Sequence, residues 1–429
     1  MALINLNGVL SGSTISNVIN GLAGNGGQAD IVNLDLTALN SLLGAGIDIS
    51  TGGSSLVNIN GVVSLRLPDG TIFPLDLVGG NATLGTTVGD VIDGVLGIGG
   101  GLISGLAGSD TINGGPGNDV LDGGDDNDTI VGNGGNDTMM GGAGDDYLQG
   151  AGGDDQLYGG AGADTLLGGE GNNTIVGGID CSDGADYITA GLGNDLIFGN
   201  GGADIITSTG GNDILVAGCG ADSVTAGAGN DIIYGNQDND LLDAGAGSNI
   251  IYAGYGDDVV RSGSGDDQIT GNEGNDTLNA GDGNNLVLGG GPGSADGNDV
   301  ITTGAGIDNI FGNQGDDYIS SGAGNDVIFG GLGNDVIVAG AGADLIYGNE
   351  GDDILTGGTG SDRFVYQATA GSDRITDFSF TEGDRLGLGG IGYSVSAGTN
   401  GNAVISLATG GTIQLDGVAA ASFDASYVN

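Results

Sequence analysis

Aspartate returns every nine residues through most of this chain. The series starts at Asp110 and continues through Asp119, Asp128, Asp137, Asp146, Asp155 and Asp164 to Asn173. After four extra residues it resumes at Asp186, Asp195, Asp204, Asp213, Asp222, Asp231, Asp240, Asn249, Asp258, Asp267, Asp276 and Asn285. After five more it resumes at Asp299, Asp308, Asp317, Asp326, Asp335, Asp344, Asp353 and Asp362. Of these 28 units, Asp fills 25 and Asn three. Carboxylates in glycine-rich turns are hard oxygen donors. Ca²⁺ takes six to eight such ligands at ~2.3–2.6 Å from carboxylates and backbone carbonyls. One turn is an incomplete cage. Two turns stacked along one edge, 18 residues apart, would complete it, so that Asp110 pairs with Asp128 and Asp119 with Asp137. An amide oxygen can still bind Ca²⁺ but brings no charge, so sites touching Asn173, Asn249 and Asn285 should be weaker.

The elements that position these groups follow from the rest of the unit, G-G-x-G-x-D-x-U-x, where U is a large apolar residue. Two residues after each Asp or Asn comes U, and all 28 are apolar, from Ile112 and Leu121 to Leu355 and Phe364. Glycine supplies the positive φ of tight turns. Six residues of turn precede three of strand, too short to stand alone. U points inward and its two neighbours point outward, the alternation of a strand. Two units per coil give two parallel sheets with turns along both edges, each coil leaning on the next. Such a period marks a solenoid.

This pattern resembles the RTX (repeats-in-toxin) calcium-binding nonapeptide family across residues 109–365. The resemblance implies an all-β chain built on a right-handed parallel β-roll with Ca²⁺ in the turns. It also implies export by a type I secretion system without a cleaved N-terminal signal. Consistent with that expectation, Met1-Ala2-Leu3-Ile4-Asn5 has no positive n-region. Asp373-Arg374-Ile375-Thr376-Asp377-Phe378 resembles the D-x-I-x-D-F segment that caps many RTX rolls. The stretch from Ile413 to Asn429 is similar to the family's uncleaved export signal. Three regions result: a β-rich cap or assembly region at 1–108, the roll at 109–365, and a C-terminal cap with the export signal at 366–429.

Charge agrees with a cation-bound fold. There are 56 acidic residues and five basic ones, a formal net charge of −51, with no His and no Trp. All five basic residues are Arg. Residues 109–362 alone hold 43 acids and Arg261. Such a chain cannot neutralise phosphates, which excludes nucleic acid as a partner, and anionic membranes repel it. No stretch reaches the ~18 apolar residues of a membrane span. At this density unpaired carboxylates repel one another, yet 38% apolar content in strict register argues against disorder. Two cysteines are too few for a disulfide scaffold. Cys181 lies in the first insertion and Cys219 in a turn two coils on, and the pair can be a disulfide or two thiols.

The roll has internal structure. Units 8, 16 and 20 carry the Asn residues, so all three fall on one edge, and both insertions protrude from the other. Residues 171–249 look duplicated in 283–362, as in Ile197-Phe198-Gly199-Asn200 and Ile310-Phe311-Gly312-Asn313. Three residues after each even-numbered Asp the outward position is mostly apolar, including Tyr158, Phe198, Tyr234, Tyr252, Phe311, Phe329 and Tyr347. A contiguous patch of this kind marks an interface, covered either by flanking segments of this chain or by another chain.

In the N-terminal region Val57–Leu67 reads as a hairpin, with Pro68-Asp69-Gly70 turning into a strand at 71–78. Residues 33–43 read as a short helix or a strand, and 97–108 as a Gly-rich lead into the roll. Catalysis finds no seat. Without His there is no zinc protease motif and no Ser-His-Asp or Cys-His system. The N-terminal acids Asp30, Asp35, Asp48, Asp69, Asp76, Asp90 and Asp93 look like turn residues, not a glycosidase pair. A pore-former of this family would need acylated lysines, and there is no Lys. An ice-binding roll would repeat Thr at the third turn position, which here varies. What is left is a secreted, calcium-rigidified structural protein, similar to repeat-rich surface-layer and oscillin-type surface-fibril proteins. The second reading is a non-catalytic adhesin that binds glycans through its flanks.

Overall fold

The computed structural model describes residues 101–291, 296–367 and 371–428, with 89–93 and the backbone of short strands between Ile4 and Leu84. The chain divides into two compact units, Met1–Ile205 and Ile206–Asn429.

In the first unit, Ser54–Ile59 and Val62–Arg66 pair antiparallel, flanked by Ile49–Thr51 and Ile72–Pro74. The expected hairpin and the strand after it are thus present. Val32–Asn33 is a strand, parallel to Ile4–Asn5, while 34–43 lie outside the described residues. The parallel ladders then begin. On one sheet Thr111–Pro116, Thr129–Gly134, Tyr147–Gly152 and Thr165–Glu170 stack with Ile112 opposite Ile130, Ile130 opposite Leu148 and Leu148 opposite Leu166. On the other, Val120–Asp125, Thr138–Ala143 and Gln156–Ala161 stack with Leu121 opposite Met139 and Met139 opposite Leu157. Each register step is 18 residues, the two-unit coil read from the sequence. Across the first insertion Leu166 faces Ile188, so the extra residues leave the sheet register intact.

The ladders start before the repeat. Leu102–Ala107 pairs with Val120–Asp125, and Val91–Asp93 pairs with Thr111–Pro116. The Gly-rich lead at 97–108 was expected to stand outside the roll. Its residues 102–107 form one of the strands instead, because Leu102 and Ile103 supply the buried face that glycine cannot.

The second unit repeats the construction. Ile233, Ile251 and Ile269 stack on one sheet, and Leu242, Val260 and Leu278 on the other. Ser372–Ile375 and Arg385–Gly387 extend the two ladders past the last nonapeptide. Tyr393–Ala397, Asn402–Leu407 and Thr412–Ala419 then run antiparallel, and Thr412–Ala419 also lies against Ser372–Ile375. An antiparallel sheet at this end covers the last coil and blunts its open strand edge.

The core in both units is the U column. All 28 U side chains are at most 1% exposed. Burying one Leu, Ile or Val contributes about 1.5–3 kcal/mol, so the column is the main apolar force holding coil to coil. Among the described residues no helix is long and apolar enough to cross a membrane.

The outer face is less simple than the alternation predicts. Tyr234 and Tyr252 stack at 5.2 Å, Phe311 and Phe329 at 4.9 Å, and Phe329 and Tyr347 at 4.4 Å. Phe198, Tyr234, Phe311, Phe329 and Tyr347 are half-buried, while Tyr158 and Tyr252 are exposed. A second apolar row comes from the residue just after the odd-numbered Asp, where Leu241, Val300, Tyr318 and Ile354 are exposed.

Candidate metal sites along the turns

Each repeat Asp sits where the turn enters its strand and is at most 4% exposed. There its carboxylate meets the neighbouring coil. The Asp110 backbone N–H donates to Asp128 Oδ1 at 2.7 Å, Asp119 to Asp137 at 2.8 Å, and Asp128 to Asp146 at 2.7 Å. In the second unit Asp240 donates to Asp258 at 2.7 Å, Asp299 to Asp317 at 2.8 Å and Asp335 to Asp353 at 2.9 Å. The sequence-paired residues therefore do stack. The contact is backbone N–H to carboxylate, not carboxylate to carboxylate.

The other oxygen tells more. Oδ2 of Asp110, Asp119, Asp128, Asp137, Asp146, Asp155, Asp164 and Asp186 is buried without a hydrogen-bond partner. In the second unit the same holds for Asp231, Asp240, Asp258, Asp276, Asp299, Asp317, Asp335, Asp344, Asp353 and Asp362. Its surroundings are more oxygen. A Cβ added to Gly123 would lie 2.2 Å from Asp128 Oδ2 and 2.7 Å from the Gly141 carbonyl oxygen. At Gly141 the values are 2.3 Å to Asp146 and 2.5 Å to Gly159, and at Gly159 they are 2.2 Å to Asp164 and 2.6 Å to Gly177. At these glycines a carboxylate oxygen and a carbonyl oxygen from the next coil thus converge on the spot a Cβ would take.

Electrostatics states the same problem. Burial, and to a lesser degree nearby carboxylates, push Asp128, Asp137 and Asp146 up to about 7, against the pull of the backbone N–H. Asp186, Asp240 and Asp299 are pushed up to about 8. A buried, ionised, half-satisfied carboxylate costs several kcal/mol, as much as the U side chain of its unit contributes. Once ionised, these oxygens oppose the column unless something positive meets them. Convergent oxygens with no donor among them fit a hard cation. Ca²⁺ bound there would supply the positive charge, with Asp Oδ2 and turn carbonyls as its ligands. Among the described residues no three acidic side chains converge on one point, so carbonyls must complete the shell, as expected from the turn composition.

The Asn units behave differently. Asn173, Asn249 and Asn285 each accept the neighbouring backbone N–H through Oδ1 at 3.0 Å. Their Nδ2 then donates to turn carbonyls, of Gly171, of Gly247 and Ser262, and of Gly281 and Gly283. The amide satisfies itself where a carboxylate cannot. Three turns on the same edge add hydroxyls: Ser262, Thr303 and Ser321 donate to the carbonyls of Ala280, Ser321 and Ala339 at 2.9, 2.7 and 2.6 Å.

Sequence reading missed part of the stack. Asp373 accepts the Asp353 N–H at 3.0 Å, leaves Oδ2 buried and unpartnered, and is pushed up to about 7. Asp384 accepts the Asp362 N–H at 3.0 Å and the Ser379 N–H at 2.7 Å. Both lie in the expected cap, at steps of 20 and 22 residues instead of 18. The signal was the triplet D-x-apolar, in Asp373-Arg374-Ile375 and Asp384-Arg385-Leu386. Cys181 and Cys219 are each disulfide-bonded, so neither is a free thiol.

The sequence profile of the RTX calcium-binding nonapeptide repeat matches in overlapping segments from 97–130 to 329–364. The chain belongs to the RTX family. The match breaks only at 181 and at 292–293, inside the two insertions. It starts at 97, in keeping with the RTX coil already formed by Leu102–Ala107. No curated protein matches the chain. RTX repeats bind calcium, and the orphaned Oδ2 column identifies which atoms of this chain are available for it.

Proposed function

We propose that this RTX chain is a secreted structural protein that folds on extracellular Ca²⁺ and assembles into a cell-surface layer or fibre. The observation that carries this is the column of buried carboxylate oxygens with no partner. It makes the fold conditional on a cation. In a low-Ca²⁺ cytosol the dense carboxylates keep the chain unfolded and fit for export through a type I secretion system. Outside, Ca²⁺ in the ~0.1–1 mM class of extracellular sites fills the turns and drives folding. Nothing in the carboxylate stacks supports catalysis, since every repeat Asp is committed to a neighbouring coil or to the cation. Subunits would meet along the outward apolar residues, with Tyr158 and Tyr252 the most open of the aromatic row, or through the 1–108 and 366–429 regions.

Static light scattering and electron microscopy of the purified chain with and without Ca²⁺ test this reading. Growth into sheets or fibres at millimolar Ca²⁺, reversed by chelator, is the expected outcome. A folded monomer at every Ca²⁺ concentration would reject assembly and favour the adhesin reading, in which the flanks bind a glycan.

A further inference from the structure

The two insertions are built alike. In the first, Gly177 and Gly178 stand side by side, and a Cβ added to them would lie 2.2 Å from Asp186 Oδ2 and 2.1 Å from Asp183 Oδ2. In the second, a Cβ added to Gly289 and Gly290 would lie 2.1 Å from Asp299 Oδ2 and 2.0 Å from Asp296 Oδ2. Each insertion thus sets a carboxylate, three residues before the repeat Asp, against the second glycine of the pair whose first glycine faces the repeat Asp. The first insertion also holds Asp180, which is exposed. Both are tied down from the next coil. Asn200 Nδ2 donates to the Gly178 carbonyl at 2.7 Å, and Asn313 Nδ2 to the Gly290 carbonyl at 2.8 Å. Asp183 accepts the backbone N–H of Gly162 and of Ile179, both at 2.9 Å. Asp296 accepts those of Gly297 and Gln314, both at 3.1 Å.

The added carboxylate acts on three stacked neighbours at once. Asp183 repels Asp164, Asp186 and Asp204, and Asp296 repels Asp276, Asp299 and Asp317. No arginine is among the charges acting on Asp164, Asp186, Asp276, Asp299 or Asp317. At the centre of each group Asp186 Oδ2 and Asp299 Oδ2 are fully buried and unpartnered. A loop that only needed closing could use a neutral acceptor. Ca²⁺ affinity instead rises with ligand charge and rigidity, and these two positions add both.

We propose that the two insertions create the chain's tightest divalent-cation positions, one at Asp183/Asp186 and one at Asp296/Asp299. Each lies within its own compact unit, so each unit carries one position that fills first and orders the coils beside it. This rests on the calcium reading above and goes beyond it, since the nonapeptide repeat alone makes all turns nearly equivalent.

The test is a Ca²⁺ titration of the full chain in competition with a chromophoric chelator, for wild type, Asp183→Asn, Asp296→Asn, the double variant and the charge-matched control Asp125→Asn. Wild type should show two ions bound at least tenfold tighter than the rest. Each single variant should lose one of them, the double variant both, and the control neither. Circular dichroism at saturating Ca²⁺ confirms that each variant folds. If a variant fails to fold, the wild-type count of two tight ions still decides the matter. A single affinity class in wild type, or a tight class that survives in the double variant, would overturn the proposal while leaving calcium-driven folding intact. No Ca²⁺ binding at all would reject both.

Discussion

One aspartate and one glycine, five positions apart, carry most of the chemistry. Where glycine stands there, Oδ2 of the aspartate and a carbonyl of the next coil occupy the place of its missing side chain, while turns such as those of Ala253 and Ser262 accommodate a small side chain at the same position. At Gly141, for example, a Cβ would lie only 2.3 Å from Asp146 Oδ2 and 2.5 Å from the Gly159 carbonyl oxygen. Gly141→Ala should therefore destabilise the Ca²⁺-loaded fold by about 1–3 kcal/mol, the usual cost of forcing an extra methyl into packed structure. Thermal melts at fixed Ca²⁺ would show it as a lowered midpoint. The aspartates also predict how the metal-free chain responds to pH. Burial holds Asp128, Asp276, Asp317 and Asp335 at about 7 and Asp299 at about 8, against 3.8 for an ordinary Asp. Raised folded-state values mean that the fold retains protons the unfolded chain has lost. Its stability is then fully present below about pH 4 and falls as pH rises through 6–8. In chelator, β-sheet circular dichroism should be stronger at pH 5 than at pH 8, and added Ca²⁺ should abolish the difference. A stronger metal-free signal at pH 8 would contradict the assignment of these carboxylates as buried and unpaired.

At the scale of the strand, the structure has six residues in many units, where the turn glycines join the ladder, and three in others. Even three suffice because the next coil completes what each lacks. The inward U residue and the outward rings act on opposite faces of the same strand. Phe329 lies between Phe311 and Tyr347, stacked on both. Phe329→Ala removes two ring contacts of about 0.5–1.5 kcal/mol each without touching the U column. It should lower the melting midpoint of Ca²⁺-loaded protein while leaving the number of bound Ca²⁺ ions unchanged. The strands were legible in the sequence because two signals kept one register: Asp at the turn and an apolar residue two places on. Where the spacing changed, the signal was lost. Asp373 and Asp384 do the same work as Asp353 and Asp362 but fall at altered steps. Leu102–Ala107 was obscured because Gly101 stands where a repeat Asp would be. Ring stacking was also hidden, since the sequence shows that Phe311, Phe329 and Tyr347 share a face but not that their rings cover one another.

For the whole chain the balance is between a column of buried apolar side chains and a column of buried carboxylates in each unit. The first favours folding everywhere. The second opposes it unless cations are present. A net charge of −51 makes the opposition collective as well as local. The antiparallel end formed by Asn402–Leu407 and Thr412–Ala419 covers one terminus of the ladders, a role the sequence indicated through its D-x-I-x-D-F segment. The balance is tested most directly by circular dichroism of the purified, chelator-stripped chain at pH 7.5 during Ca²⁺ titration. The prediction is a largely unfolded spectrum without Ca²⁺ that converts cooperatively to a β spectrum in the sub-millimolar to millimolar range and returns on adding chelator. A full β spectrum in chelator, unchanged by Ca²⁺, would contradict it.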